Sequence, residues 1–160
     1  QEKLQEARAR VTALEEGQTL REFATALEGE AEGLGITAQD PSYTENVFRT
    51  SLQSAYGAGR YRQLTDPDIA TLRPYAEYLT VGDARVRESH RRLHGTVWRI
   101  DGAPFKRVAP PNGYQCRCAA SSMSAAEAEG REIMDAIPSG AEPDPGFDGP
   151  PVALVEASLL

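Results

Sequence analysis

This chain has only two histidines and two cysteines, and all four lie within one stretch of 29 residues, from His90 to Cys118. His90 and His94 are four residues apart, and Cys116 and Cys118 end the segment PPNGYQCRC at 110–118. Reactive side chains that are this rare and this close together indicate a site more than four unrelated core positions. We therefore expect His90, Cys116 and Cys118 to meet in the folded chain.

The local patterns predict how these side chains are presented. The run 83–94 predicts a helix capped by Asp83, with His90 and His94 one turn apart on the same face. Gln115 to Ala120 predicts a strand, and alternate residues of a strand point to the same side, so both sulfurs can approach one ion. Two cysteines and two histidines form a tetrahedral set that suits Zn²⁺.

Two other interpretations of the cysteines stay open at this point. The C-x-C spacing is shorter than the two-to-four-residue spacer of common zinc modules, so Cys116 and Cys118 are also explained as buried free thiols beside a hydrogen-bonded histidine. A Cys116–Cys118 disulfide is the third option, although it would close a very small, strained ring.

Three blocks of sequence occur in a fixed order around this site. Residues 49–60 read R-T-x-x-Q-x-A-Y-x-x-G-R; residues 83–97 read D-x-R-x-R-x-x-H-x-x-L-x-G-x-V and are followed by PPN and CRC; residues 145–148 read PGFD. Together these blocks resemble the signature of the phage Mu F-like minor head proteins, the tailed-phage head morphogenesis family. The closing Asn-Pro of that family is Gly149-Pro150 here, and His94 lies outside the motif positions. The motif residues are Arg49, Thr50, Gln53, Arg60, Asp83, Arg85, Arg87, His90, Gly95, Pro111, Asn112, Cys116, Arg117 and Cys118.

The resemblance implies a structural protein of the virion and no catalytic residue. It implies a minor head component assembled in the bacterial cytoplasm, associated with the portal or the capsid interior and acting in head assembly, DNA packaging or ejection. Its expected partners are portal or major capsid subunits, with packaged DNA as a further contact. The alternative is a metal- or arginine-assisted nuclease or transferase that uses His90, Cys116, Cys118 and the arginines around them. Such an enzyme needs a solvent-reachable pocket and an open coordination position, whereas a structural site has four protein ligands.

Composition narrows the classes of partner. The net charge of −7 and the pI near 4.9 argue against a general nucleic-acid binder. The sequence has no apolar run of membrane-spanning length, and no small-molecule substrate is indicated. Two neighbouring cysteines fit a reducing compartment. Because the sequence begins with Gln1 rather than Met, we expect it to be part of a longer polypeptide.

The periodicity predicts an α+β fold. We expect a helical N-terminal half, then a small, mainly antiparallel sheet with a packed helix that bears the histidines and arginines, and finally an extended Pro/Gly tail. The corresponding segments are an N-terminal helical segment at 1–38 that Gly17 interrupts, a Mu F-like α+β domain at 39–137, and the tail at 138–160. Within the domain, we expect a helix capped by Ser42 or Thr44 and running to Gln63, strands at 74–81, 96–100 and 115–120, and a last helix from Ser124 to Ile137.

Three further expectations concern packing and contacts. On the helix that ends at Gln63, the predicted apolar side consists of Val47, Phe48, Leu52, Ala55 and Tyr56. Arg87 and Arg117 are expected to be largely buried and paired with carboxylates or backbone carbonyls, so that losing either would be strongly destabilising. The apolar residues of the tail are expected to contact other virion subunits; they are Phe147, Val152, Leu154, Val155, Leu159 and Leu160.

Overall fold

The computed structural model describes residues 2–33 and 40–153. These residues form an α+β fold with a helical N-terminal half and a four-stranded sheet, as the sequence predicts. No helix among them is both long enough and apolar enough to cross a membrane. In chain order the elements are α1 (Glu2–Glu15), α2 (Leu20–Gly33), α3 (Pro41–Thr65), α4 (Pro67–Leu72), β1 (Tyr75–Leu79), α5 (Glu88–Arg91), β2 (Val97–Arg99), α6 (Ala103–Val108), β3 (Ala119–Met123) and β4 (Ile133–Met134).

The first two helices form a hairpin that packs on α3. Gly17 lies at φ +64 between α1 and α2, a conformation that glycine adopts without steric cost, so the predicted interruption is confirmed. Thr19 and Glu22 then form a capping box, in which the Thr19 backbone N–H donates to the Glu22 carboxylate at 2.7 Å. The Phe23 and Phe48 rings lie 5.3 Å apart and join α2 to α3.

Helix α3 is the longest element, and its buried side differs from the predicted one. Its cap is Asp40, which accepts the Ser42 backbone N–H at 2.7 Å, and not Ser42 or Thr44. Leu52 and Tyr56 are exposed, so their assignment to the apolar side is wrong. The buried side instead carries small residues between larger ones, because the loop before β3 approaches the helix closely there. Its members are Thr44, Phe48, Ser54, Gly57, Ala58, Tyr61 and Leu64.

The sheet has the strand order β3-β1-β2-β4. Central strand β1 is antiparallel to both neighbours, and only the short pairing of β2 with β4 is parallel, which confirms a mainly antiparallel sheet. The main core lies between this sheet, α3, α6 and the turn that follows α5, and most of its members have almost no exposed surface. The largest are Tyr78, Trp98, Phe105, Leu93 and Leu64.

The predicted helix at 124–137 is wrong. Ser124 and Glu127 do exchange the two hydrogen bonds of a capping box, at 2.7 and 3.2 Å. The chain nevertheless forms only turns up to Gly130, which lies at φ +76, and then adds β4 to the sheet. The reason is tertiary: the backbone beyond Gly130 pairs with β2, which a continuing helix would prevent.

The described part of the C-terminal segment packs on the chain itself. The Phe147 ring contacts the Tyr114 ring edge-on, with 5.1 Å between centroids, and Val152 packs against the main core. Phe147 is thus covered by the chain's own residues and Val152 is partly covered. Contact of the tail with another subunit stays a prediction. Leu154, Val155, Leu159 and Leu160 lie outside the described residues.

Candidate metal centre

The two cysteines lie in the loop before β3, not in the strand predicted at 115–120. Gln115 has φ 53 and the Cys116 N–H donates to the Gly113 carbonyl at 3.2 Å, so the backbone turns here before becoming extended at Ala119. The two sulfurs still face the same way. The convergence therefore comes from the loop's turn and not from strand alternation.

His90, Cys116 and Cys118 form one buried cluster, and this prediction is confirmed. The His90 Nδ1 atom lies 3.7 Å from the Cys116 sulfur and 3.6 Å from the Cys118 sulfur. The three donor atoms all lie within 4.8 Å of one another, and all three residues are buried. Helix α5 supplies the histidine, so the cluster ties this short helix to the loop at 110–118.

These separations fit one shared metal ion. Zinc bonds of about 2.3 Å to sulfur and 2.05 Å to nitrogen, at a tetrahedral angle, place the nitrogen and sulfur about 3.6 Å apart. The observed nitrogen–sulfur distances are 3.7 and 3.6 Å. Thiolate and imidazole are also the donors that Zn²⁺ takes in protein sites. The second ring nitrogen of His90, Nε2, is buried and has no hydrogen-bond partner among the described residues.

His94 does not belong to this cluster. Helix α5 ends at Arg91 and the chain turns through Gly95 at φ +77, so His94 is not one helical turn above His90. The His94 ring is exposed, and its Nδ1 accepts the Thr80 backbone N–H at 3.0 Å. The predicted helix at 83–94 is thus wrong in its extent. The prediction of His94 as the fourth ligand, which depended on that helix, is wrong as well.

The two thiols differ in acidity because they face each other. Hydrogen bonds from the Cys118 thiol and the His90 ring lower the pKa of Cys116, against the opposing effect of burial. The pKa of Cys118 is raised, because Cys118 donates to Cys116 and because it is buried. Burial, followed by the nearby sulfurs, also raises the pKa of the Tyr78 hydroxyl. The hydrogen bond between the two sulfurs therefore favours one thiolate in the pair and opposes a second.

One face of α3 holds the cysteine loop by its backbone. The Thr50 hydroxyl accepts the Gln115 N–H at 3.1 Å, Gln53 donates to the Cys118 carbonyl at 3.1 Å, and Arg60 donates to the Ala120 carbonyl at 3.0 Å. Positions 50, 53, 57 and 60 share a helix face, which explains the spacing of this motif. Its polar side chains thus position the loop that carries the cysteines.

The same contacts cover the outer edge of β3. The carbonyls at 118, 120 and 122 accept from Gln53, Arg60 and Arg73 respectively, the last at 2.8 Å. Open strand edges invite pairing with other chains, and side chains that take up the edge carbonyls remove that opportunity. Strand addition is therefore blocked at this edge.

Asn112 and Pro111 fix the other end of the loop. The Asn112 side chain is fully buried and donates to the Tyr78 hydroxyl at 3.1 Å and to the Val108 carbonyl at 3.0 Å. Pro111 packs beside Gly57 of α3. Tyr78 and Gly57 were not singled out as site residues in the sequence; the strand alternation at 74–81 and the Gly-Ala-Gly pattern at 57–59 are the signals that point to them.

The arginines form surface ion pairs. Arg117 makes a two-pronged pair with Asp83 at 2.7 and 2.8 Å. Arg87 lies 3.3 Å from Asp144 and donates to the Tyr114 carbonyl at 2.8 Å. The predicted pairing is confirmed, but the predicted burial is wrong: the side chains of Arg87 and Arg117 are 42% and 39% exposed. These pairs clip the loop from outside, where solvent screening keeps their contribution to stability small.

The remaining motif arginines lie farther from the cysteines. Arg49 pairs with Glu45 on its own helix. Arg85 is 82% exposed, and its guanidinium lies 3.8 Å from the Asp83 carboxylate, near the outer limit of an ion pair. Neither side chain has a hydrogen bond or ion pair to the cluster among the described contacts.

The Asp83–Arg117 pair gives a prediction about titration. Hydrogen bonds from Arg117 lower the pKa of Asp83 to about 2. A depressed carboxyl pKa means that the pair stabilises the fold above the unfolded-state pKa of about 3.9, and that this contribution is lost as the pH falls toward 2. In Arg117→Gln, we expect the Asp83 pKa to rise toward its usual value in carboxyl ¹³C NMR titration. Arg91→Gln, which removes a different surface arginine, should leave the Asp83 titration unchanged; an unchanged Asp83 pKa in Arg117→Gln would contradict the assignment.

Comparison with known proteins finds one family model and three relatives that are similar to the chain. A family model described as "Phage Mu protein F like protein" matches residues 5–121. The chain is 34% identical over 130 residues to "Putative capsid assembly protein F" of Escherichia phage Mu, which covers 71% of this chain and 29% of that protein. It is 34% identical over 92 residues to "Mu-like prophage FluMu F protein" of Haemophilus influenzae, covering 58% of this chain and 22% of that protein.

A third relative is an uncharacterized protein of Methanocaldococcus jannaschii, 49% identical over 72 residues, covering 44% of this chain and 10% of that protein. The aligned region thus spans less than a third of the length of each of these relatives. No solved structure matches the chain.

Proposed function

The chain belongs to the phage Mu protein F like family, and on that premise we propose that it is a structural component of the head of a tailed phage or phage-like particle. The relative from phage Mu is named for capsid assembly. Association with the portal or the capsid interior, and a part in head assembly, DNA packaging or ejection, complete the proposal. Portal or major capsid subunits are the proposed partners, and the virion is the proposed location.

The observation that carries this proposal is how the motif residues are used. Thr50, Gln53, Arg60 and Asn112 are committed to backbone or side-chain hydrogen bonds that hold the loop at 110–120. An enzyme's polar groups point into a space that a substrate can enter, whereas these point into their own fold. These four motif residues therefore build a rigid module, as a part of an assembly requires.

We further propose that His90, Cys116 and Cys118 hold a Zn²⁺ ion. Bound there, zinc supplies a rigid crosslink between α5 and the cysteine loop, and its positive charge favours the deprotonated thiols. The chain's own contribution is to fix the ligands before the ion arrives: Gln53 holds the Cys118 carbonyl and Asn112 holds the loop against Tyr78.

Particle assembly tests the structural proposal. In cells that carry the phage or prophage encoding this chain, we expect the protein to co-sediment with heads in a density gradient. Deleting its gene should reduce the yield of DNA-filled heads by at least tenfold while the major capsid protein is still made. If the protein stayed with the soluble fraction and filled heads formed normally without it, the proposal would be wrong.

The fourth metal position supports a second candidate, a metal- or arginine-assisted nuclease or transferase. A cavity of about 30 Å³ borders His90, Cys116 and Cys118, enough for a water molecule. Catalytic zinc sites typically have three protein ligands and such an open position. That cavity is too small for a nucleotide, and three of the four arginines that line the larger space beside Cys116 are already paired with carboxylates. We therefore rank this function second. Zinc-loaded protein that cleaved single-stranded DNA or hydrolysed a nucleotide faster than its Cys116→Ser variant would reverse this ranking.

A further inference from the structure

A groove of about 950 Å³ runs along the exposed side of α3. One wall is the helix, with Arg49, Leu52 and Tyr56; the other is formed by Arg85, Arg87 and residues 114–117. Clefts of about 300–1,000 Å³ are the size that proteins use to bind ligands. The metal cluster only borders this space, through Cys116, so the groove is a separate feature with a chemistry of its own.

The groove gathers apolar side chains that the fold does not cover. Among the described residues, seven large apolar side chains are exposed, and three of them, Leu52, Tyr56 and Tyr114, line this groove. Tyr56 is the most exposed of these three, at 59%. Exposed apolar residues that cluster in one concave surface mark a place where another molecule binds. This explains why Leu52 and Tyr56 do not belong to the buried side of α3: both side chains face this groove and not the core.

The charge of the groove is opposite to that of the chain. Its lining contains four arginines and a single glutamate, in a chain of net charge −7. Carboxylates already hold three of these arginines: Glu45 holds Arg49, Asp144 holds Arg87 and Asp83 holds Arg117. Arg85 is 82% exposed and lies at the edge of pairing distance, 3.8 Å from Asp83. It is therefore the cation most available to an incoming carboxylate.

This combination favours a protein over a nucleic acid. Nucleic-acid affinity depends on several cations that are free to replace counterions along the phosphates. Here most of the arginines are already paired, whereas tyrosine and arginine beside apolar surface are the residues that dominate protein–protein contacts. The carbonyls on the outer edge of β3 are also occupied, so a partner is held by its side chains in the groove and not by strand addition.

We propose that this groove binds a segment of another protein in which Asp or Glu stands next to large apolar side chains. The apolar side chains pack on Leu52, Tyr56 and Tyr114, and the carboxylate pairs with Arg85. This proposal depends neither on the bound metal nor on the role in head assembly, because it rests only on the lining of the groove.

A random library of 12-residue peptides, selected on the purified full chain, tests the proposal. We expect the enriched peptides to share a carboxylate beside aromatic or aliphatic residues. A resynthesised peptide should bind at least tenfold more weakly to Tyr56→Ala and to Arg85→Glu in fluorescence anisotropy. Leu72→Ala is the matched control: Leu72 is 72% exposed but does not line the groove, so its replacement should leave the affinity unchanged. Circular dichroism checks that every variant remains folded.

Four results would overturn the proposal. The first is a selection that enriches no peptide or only peptides without carboxylates, and the second is equal affinity in wild type and in both groove variants. The third is displacement of the peptide by a 12-nucleotide oligothymidylate at equal concentration. The fourth is tighter peptide binding by a chain that ends at Ala153. The third result would assign the groove to nucleic acid, and the fourth to the chain's own residues 154–160.

Discussion

Replacing His90 with alanine should abolish stoichiometric zinc binding and destabilise the fold, whereas replacing His94 should do neither. His90 is buried with its Nδ1 3.6 and 3.7 Å from the two sulfurs, while His94 is exposed and contacts Thr80. Because metal-binding free energy is also folding free energy, we expect His90→Ala to lose on the order of 3 kcal/mol or more. The loss in His94→Ala should stay within about 0.5 kcal/mol, as for an ordinary surface substitution.

The measurements are elemental analysis of the purified protein and urea denaturation with and without a chelator. Wild type and His94→Ala should contain about one zinc per chain and lose stability in the chelator. His90→Ala should contain none and should not respond to it. Cobalt in place of zinc adds a spectroscopic check, since thiolate ligands give it intense charge-transfer absorption. Wild-type protein without metal, equally stable in the chelator, would leave Cys116 and Cys118 as buried free thiols beside a hydrogen-bonded histidine.

The sequence predicts the cluster better than it predicts the elements that carry it. His90, Cys116 and Cys118 do meet, because α5 and the loop at 110–118 lie against each other, whereas His94 in the same stretch of chain lies apart. Their carriers differ from the prediction: the helix ends at Arg91, and Gln115 at φ 53 turns the cysteine loop away from strand geometry. A left-handed residue other than glycine has no clear signature in a single sequence, since its cost is repaid by distant contacts such as Thr50 with the Gln115 N–H.

Elements with a strong local pattern were predictable, and elements defined by a distant partner were not. In strand β1 the buried residues Ala76 and Tyr78 alternate with the less buried Tyr75 and Glu77, and the strand predicted at 74–81 matches it to within a few residues. Strand β4 has only Ile133 and Met134, and it exists because β2 lies beside it. The capping box at Ser124 formed its hydrogen bonds and still did not start a helix. Local propensity decides an element only where tertiary pairing does not compete with it.

The arginines illustrate the same limit for burial. That Arg87 and Arg117 pair with carboxylates was predictable from charge, but Asp144 as the partner of Arg87 was not. Whether a pair is buried or exposed depends on what covers it, and among the described residues both side chains of the Asp83–Arg117 pair stay 39% exposed. The many arginines around the site therefore form exposed ion pairs that hold the loop at its surface. Arg85, on the groove, is the arginine most available to a further carboxylate.

Two glycines in α3, only two residues apart, should respond to alanine with opposite signs. A Cβ on Gly57 would lie 2.5 Å from the Pro110 carbonyl oxygen and 2.7 Å from the Pro111 Cδ, distances that real contacts do not allow. A Cβ on Gly59 would meet nothing within 4 Å. We expect Gly57→Ala to lose about 2–4 kcal/mol, because the loop at 110–118 must move away from the helix. Gly59→Ala should gain about 0.5–1 kcal/mol from helix propensity.

Urea denaturation of both variants measures the difference, and metal content gives it a second readout. Moving the loop away from α3 strains the bonds from Thr50 and Gln53 to the cysteine backbone, so Gly57→Ala should bind zinc at least tenfold more weakly. Gly59→Ala should bind it as wild type does, because Gly59 faces away from the loop. Equal stability of the two variants would mean that α3 does not press on Pro110 and Pro111. A destabilised Gly57→Ala with wild-type zinc affinity would mean that the helix supports the fold without positioning the cysteines.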